Sequence, residues 1–188
     1  MTDYAAEYGK MHESDKRFPG YSLGAYVGAI GKLVSASAPT RMLDYGCGKG
    51  MQYLARRYHD SWGGLLPHCY DIGVKQLDAK PLGQFGGVIC TDVMEHIERK
   101  DVPAVLRELI GYTGQGGFLF LGISCRPTRK KLSDGRDVHV TIEPPAWWIA
   151  QINAAADALK PKGIRIVAHW DIAGHFDCSD APYDLVLM

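Results

Sequence analysis

From Arg41 to Leu54 the chain reads Arg-Met-Leu-Asp-Tyr-Gly-Cys-Gly-Lys-Gly-Met-Gln-Tyr-Leu, an apolar stretch that runs into glycine at positions 46, 48 and 50. Such a run asks for a strand, a sharp turn and then a helix. Met42, Leu43 and Tyr45 suit a buried strand, Asp44 places a carboxylate near its end, and the glycines remove Cβ where the backbone turns and approaches a ligand closely. The stretch is thus a nucleotide-cofactor cradle. A dinucleotide-binding fingerprint, G-x-G-x-x-G, would require a third glycine at position 51, where Met51 stands. The run is D-x-G-x-G-x-G.

The chain on either side supplies the elements that such a cradle needs. Leu23, Tyr26, Val27, Ile30, Leu33 and Val34 recur at helical spacing over 22–37, with Ser22 as N-cap and Pro39 beyond the end. A second helix is expected from Met51 to Tyr58, its positive N-terminal end towards the cofactor. Strands are expected at 65–71, 88–91, 117–124, 164–169 and 183–188, and helices at 101–112, capped by Asp101, and 146–159. Val138, Val140 and Ile142 alternate like a further short strand, after a turn at Asp134-Gly135. Strands alternating with helices make a doubly wound α/β sheet, which binds ligands at the carboxyl ends of its strands.

Two positions stand out on that sheet. Asp71 closes the strand at 65–71, 25 residues after Gly46, where nucleotide-binding folds hold ribose hydroxyls on a carboxylate. Only 16 residues separate Asp71 from Val88, too few for a helix, a strand and a return. This connection is therefore abbreviated.

Length and composition bound the rest. At 188 residues one domain is expected, with 1–38 as an N-terminal cap and helix. The formal net charge is zero, so no global field draws nucleic acid or an anionic membrane, and neither is an expected partner. The five cysteines have no C-x-x-C pair, which fits reduced cytosolic thiols better than a disulfide frame or zinc site. No signal-type segment follows Met1 and no long uncharged apolar run is present, so a cytoplasmic protein, monomer or homodimer, is expected.

The D-x-G-x-G-x-G run resembles the first motif of the class I S-adenosylmethionine (SAM)-dependent methyltransferases. The stretch Phe-Gly-Gly-Val-Ile-Cys-Thr-Asp-Val-Met-Glu-His-Ile, 85–97, is similar to the post-strand region of their ubiquinone-biosynthesis-like (type 11/23) branch. The D-G-R-x-x-H and Trp-Trp runs at 134–139 and 147–148 resemble a bacterial and phage subgroup that names no substrate. The resemblance implies a Rossmann-like class I methyltransferase sheet that binds SAM and releases S-adenosylhomocysteine. Asp44, Tyr45, Gly46, Cys47, Gly48, Gly50 and Asp71 are then the cofactor residues, joined by Thr91, Asp92 and Val93, where this branch lays its backbone beside the methionine part of SAM. The acid that contacts adenine after a further strand has no clear counterpart in the abbreviated connection; Asp78 is the nearest candidate.

For catalysis, in-line methyl transfer requires alignment and, with a hydroxyl acceptor, a base or a metal. His139 ranks first as general base, because a carboxylate among Asp134 and Asp137 would fix its tautomer. His96 ranks second, as base or as metal ligand, and His12, in a polar-aromatic cap, third. The similar acid-x-x-Glu-His run of the ubiquinone branch implies an alternative metal set of Asp92, Glu95 and His96. Class I enzymes place acceptor-binding insertions where 125–143 lies, so Asp134, Arg136, Asp137 and Trp147 are substrate candidates. Each has a plainer alternative: Glu95 as a cap, His96 as core packing, the Asp134 to Asp137 turn as surface ion pairs, and a solvated loop for the basic run Arg126, Arg129, Lys130, Lys131.

The expected reaction is methyl transfer to a small polar acceptor, at the hydroxyl of a sugar, sugar nucleotide or other metabolite. A non-catalytic SAM-binding scaffold and a phage-type nucleotide or nucleic-acid methyltransferase are the alternatives. Against the last, the Asn/Asp-Pro-Pro-Tyr/Phe signature of amino methylation and a Pro-Cys nucleophile are both missing.

Overall fold

The computed structural model describes residues 19–132, 135–161, 163–172 and 183–187. Its strands are β1 (Met42–Tyr45), β2 (His68–Tyr70), β3 (Phe85–Thr91), β4 (Thr113–Ser124), β5 (Ile164–Asp171) and β6 (Tyr183–Leu187). They form one sheet in the order β2-β1-β3-β4-β5-β6. The first five strands are parallel and β6 runs antiparallel along β5. This is the Rossmann-like α/β sheet expected, with its strand order reversing between β1 and β3, where ligands of such sheets sit. The expected abbreviation is present: between β2 and β3 the chain makes only turns.

The helices are α1 (Val27–Ser37), α2 (Met51–Leu54), α3 (Val102–Tyr112) and α4 (Pro145–Leu159). Side-chain alternation divides the core into two layers. Leu43, Val88, Cys90, Leu119 and Leu121 face α3 and α4, meeting Leu106, Leu109, Trp148 and Ile152. Met42, Ile89, Phe118 and Phe120 face the other way, onto Leu23, Tyr26, Ile30 and Leu33. Strands buried on both faces need continuous apolar sequence, and each large side chain so buried contributes about 1.5–3 kcal/mol. Among the described residues no helix is long and apolar enough to cross a membrane.

Several local expectations are corrected. The helix over 22–37 is split into a 3₁₀ turn, Ser22–Ala25, and α1, and no side chain caps either part; Ser22 Oγ instead faces the Thr91 carbonyl at 3.5 Å. α2 stops after Leu54, and a 3₁₀ turn at Tyr58–Trp62 carries Trp62 into the core, its Nε1 donating to the Val27 carbonyl at 3.2 Å. The Asp101 side chain makes no cap; its carbonyl accepts the Ala104 and Val105 amides. No strand forms at 138–142, because the Val138 and Thr141 amides donate to the Lys130 and Glu95 carbonyls.

Candidate functional site

The functional groups gather along the carboxyl edge of the sheet. A cavity of about 430 Å³ lies over the reversal between β1 and β3. Tyr45, Gly46 and Gly48 form one wall, Asp71 and Ile72 a second, and Asp92, Val93 and His96 a third. Its volume falls in the ~300–1,000 Å³ range of small-ligand sites. Gly46 has φ +79° and lies so close to Val93 that a Cβ would come within 2.3 Å of Cγ2. Only glycine lets the β1 turn meet the β3 turn this closely.

Asp71 organises the loop. Its Oδ2 accepts the Gly48 amide at 2.7 Å and its Oδ1 the Gly73 amide at 2.9 Å. The carboxylate thus braces the glycine turn from the wall of the cavity.

Of the ten cofactor candidates, Tyr45, Gly46, Gly48, Asp71, Asp92 and Val93 line the cavity. Asp44, Cys47, Gly50 and Thr91 are not among its lining residues. Asp44 is 1% exposed, and its Oδ2 accepts Tyr53 Oη at 2.7 Å and Gln52 Nε2. Burial lifts its pKa to about 7, against the pull of those two donors. It ties β1 to α2. Cys47 is also buried; the neighbouring Cys69 thiol and burial push its pKa above the ordinary thiol range, which disfavours the thiolate. At the start of α2 the Met51 and Gln52 amides donate to the Pro19 and Gly20 carbonyls at 3.1 and 2.8 Å, so the segment before α1 takes up these two helix-start donors.

After β3 the backbone turns through Asp92, which has φ +59°, a strained conformation for a residue with a side chain. The turn delivers Glu95 and His96. Glu95 is fully buried; its Oε1 accepts the Ser124 amide at 3.0 Å, and no donor reaches Oε2. Burial, with the Asp92 carboxylate alongside, pushes its pKa well above the usual carboxylate range. His96 donates from Nδ1 to the Val138 carbonyl at 2.8 Å, and burial lowers its pKa to about 4. His139 donates from Nδ1 to the Arg126 carbonyl at 2.8 Å. A carbonyl can only accept, so each neutral imidazole keeps its lone pair on Nε2. One potential ligand atom from each of Asp92, Glu95, His96 and His139 lies within 4.8 Å of the others. His139 and His96, ranked first and second in the sequence, share one place, and a backbone carbonyl rather than a carboxylate meets His139 Nδ1.

A second cavity, of about 160 Å³, shares Asp92, His96 and Lys130 with the first and continues to Ser124, Arg126, His139 and Asp171. Ser124 and Asp171 end β4 and β5. Their positions at strand ends were the signal that sequence reasoning passed over. Arg126, seen in the sequence only as part of a basic run, donates from Nε to Asp171 Oδ2 at 2.8 Å, and Lys131 pairs with Asp137 at 3.2 Å.

Of the expected substrate residues, Arg136, Asp137 and Trp147 line neither cavity. Asp137 accepts the Thr128 and His139 amides and so folds the loop that carries His139. Those bonds and Lys131 outweigh burial and lower its pKa. Arg136 is exposed and lines neither cavity. Trp147 packs edge-on against Trp148 and under Arg99, outside both cavities. Asp78 is exposed and away from the larger cavity. His12 and Asp134 lie outside the described residues.

A family model described as a methyltransferase domain matches residues 23–148, about two thirds of the chain. No curated protein matches it.

Proposed function

We propose, from the premise that this chain belongs to the methyltransferase-domain family and is a SAM-dependent methyltransferase, that it methylates a hydroxyl oxygen of a small polar acceptor. One observation carries this reading: the two cavities share Asp92, His96 and Lys130 in their linings, and His139 lies beside the first two, so ligands in both would lie against one cluster of bases.

The residues fit the cofactor. Apolar Tyr45, Ile72, Ile97 and Val105 line the larger cavity and suit a purine face. Asp71 suits the ribose hydroxyls, and the Gly46–Gly48 turn with Asp92 suits the charged methionine end. SAM supplies an electrophilic methyl group on a sulfonium. The chain's own task is to hold the acceptor oxygen in line with it and to receive the hydroxyl proton. His139 and His96 each present an Nε2 lone pair for that proton. His96, held neutral by burial, remains a proton acceptor down to acidic pH.

Titration calorimetry with SAM and S-adenosylhomocysteine, on wild type and Asp71→Ala, followed by S-adenosylhomocysteine release with hydroxylated small molecules, tests the reading. Absence of cofactor binding at millimolar ligand would sink it.

A second reading concerns how the proton is managed. The unpartnered Glu95 Oε2 beside Asp92 is either a protonated acid donating to that carboxylate or a ligand to a divalent cation held with His96 and His139. Methyl transfer that chelation abolishes and Mg²⁺, Mn²⁺ or Zn²⁺ restores would favour the cation. Activity indifferent to chelator would favour the shared proton.

A further inference from the structure

The lining of the smaller cavity bears on what the acceptor carries besides its hydroxyl. It shares Asp92, His96 and Lys130 with the larger cavity. Arg126 lines the smaller cavity alone, with Ser124, His139 and Asp171. Arg126 is fixed at two points: Nε donates to Asp171 Oδ2 at 2.8 Å, and its carbonyl accepts His139 Nδ1 at 2.8 Å. Asp171 is held in turn, its carboxylate 3.4 Å from Ser124 Oγ and its carbonyl accepting the Cys125 amide at 2.8 Å. No bond from Arg126 Nη1 or Nη2 is formed among the described residues. A guanidinium pinned through Nε keeps its planar fork for a second anion and stays charged at any working pH.

We infer that the acceptor is a small hydroxylated anion, its carboxylate or phosphate held by the Arg126 fork and its hydroxyl presented to His96 and His139. This rests on the methyl-transfer reading above and names the substrate class of that site. Three observations bear on it. The cavity, at about 160 Å³, is well under half the volume of the larger one and is of a size for a small polar molecule or the head of a larger one. The charges favour Arg126 as the partner of an anion: the Asp171 charge beside it is already met by its Nε, and Lys130 lines the same cavity as a second cation. Finally, His139 and Arg126 are hydrogen-bonded to each other, so the base and the anchor form one unit and the distance between them is set by the fold.

The experiment uses three probes on nearly the same scaffold: glycerate, glycerol 3-phosphate and uncharged glycerol. Each is titrated into the full chain, alone and loaded with S-adenosylhomocysteine, at physiological ionic strength, with binding read by NMR or calorimetry. At least one of the two anions should bind about tenfold or more tightly than glycerol, the scale of a single charge-assisted hydrogen bond. Which of them binds better distinguishes carboxylate from phosphate. In Arg126→Gln that preference should fall to the glycerol level while S-adenosylhomocysteine affinity stays unchanged. Arg126→Lys, which keeps the charge and loses the fork, should retain part of it, and this variant covers the case in which Arg126→Gln unfolds.

Equal binding of all three probes, binding of none, or an anion preference that survives in a folded Arg126→Gln would each overturn the inference. Failure of S-adenosylhomocysteine to bind would count against the methyl-transfer reading instead, and the titrations on unloaded protein still report on the anion site.

Discussion

The His96 and His139 rings meet edge to face, centroids 4.9 Å apart and planes at 84°, although 43 positions separate them in the chain. The contact is organised by backbone carbonyls. His96 holds the carbonyl of Val138, directly before His139, and His139 holds the carbonyl of Arg126 at the end of β4. His96 thus spends its Nδ1 proton on the segment that carries His139, and His139 spends its own on the chain just past β4, so each ring in its neutral form carries its lone pair on Nε2. Two imidazoles so close cannot both be protonated at small cost, which is one reason why His96 resists its proton.

His139→Ala should lower kcat by about 10²-fold, within the usual range for loss of a general base, once an acceptor is in hand. S-adenosylhomocysteine affinity should be nearly unchanged, since His139 lines only the smaller cavity. Full kcat in the variant would remove His139 from the chemistry, and weakened cofactor binding would recast it as a loop residue.

Asp71→Ala should cost more than a lost ribose contact. The Gly48 and Gly73 amides would lose their acceptor, and a buried orphan donor costs roughly 1–3 kcal/mol. The expected outcome in calorimetry is cofactor affinity reduced by about tenfold or more, with Asp71→Asn intermediate because its amide oxygen can still take one of the two amides. Equal affinity for wild type and Asp71→Ala would show that the carboxylate serves the loop alone.

Gly46→Ala should be poorly tolerated, because the added Cβ would sit 2.3 Å from Val93 Cγ2 at a φ of +79°. Strain of this kind costs on the order of 1–3 kcal/mol. Pairing it with Val93→Ala removes the clash and keeps the φ penalty, so thermal unfolding of the double variant should recover only part of the lost Tm. Complete recovery would mean that the backbone strain is negligible.

The fold was legible because its signals are local and redundant: the 42–50 run, the apolar strands and the amphipathic helices each follow from chain periodicity. The wall of the larger cavity was legible for the same reason, since Tyr45, Gly46 and Gly48 stand at the end of β1 and Asp71 directly follows β2. The smaller cavity was not. Arg126, Asp171 and His139 meet only because β4 and β5 are neighbours and the 125–143 loop folds back over them, and no spacing in the chain encodes that meeting. Within the D-G-R-D-V-H run, Asp137 gives its carboxylate to backbone amides of its own loop, a use that residue spacing does not distinguish from ligand binding. Asp44 resembled a ligand residue and is instead the peg between β1 and α2.

That peg gives the stability a definite pH dependence. Asp44 titrates near 3.8 in an open chain and at about 7 when folded, since burial disfavours its charge more than Tyr53 and Gln52 favour it, and the Asp71 carboxylate adds to the rise. A folded pKa above the unfolded one means that the folded state binds the proton more tightly. Its contribution is therefore fully present below about pH 4 and is lost as pH rises through about 7. At about 1.4 kcal/mol per pH unit the ceiling is a few kcal/mol. Asp44→Asn keeps an oxygen for Tyr53 Oη and Gln52 Nε2 and removes the charge, so its stability relative to wild type should increase from pH 4 to pH 8. Urea unfolding of both proteins across that range provides the measurement. A constant difference between them would mean that Asp44 keeps an ordinary carboxylate pKa inside the fold, and a difference that shrinks with rising pH would mean that its charged form is the one the structure prefers.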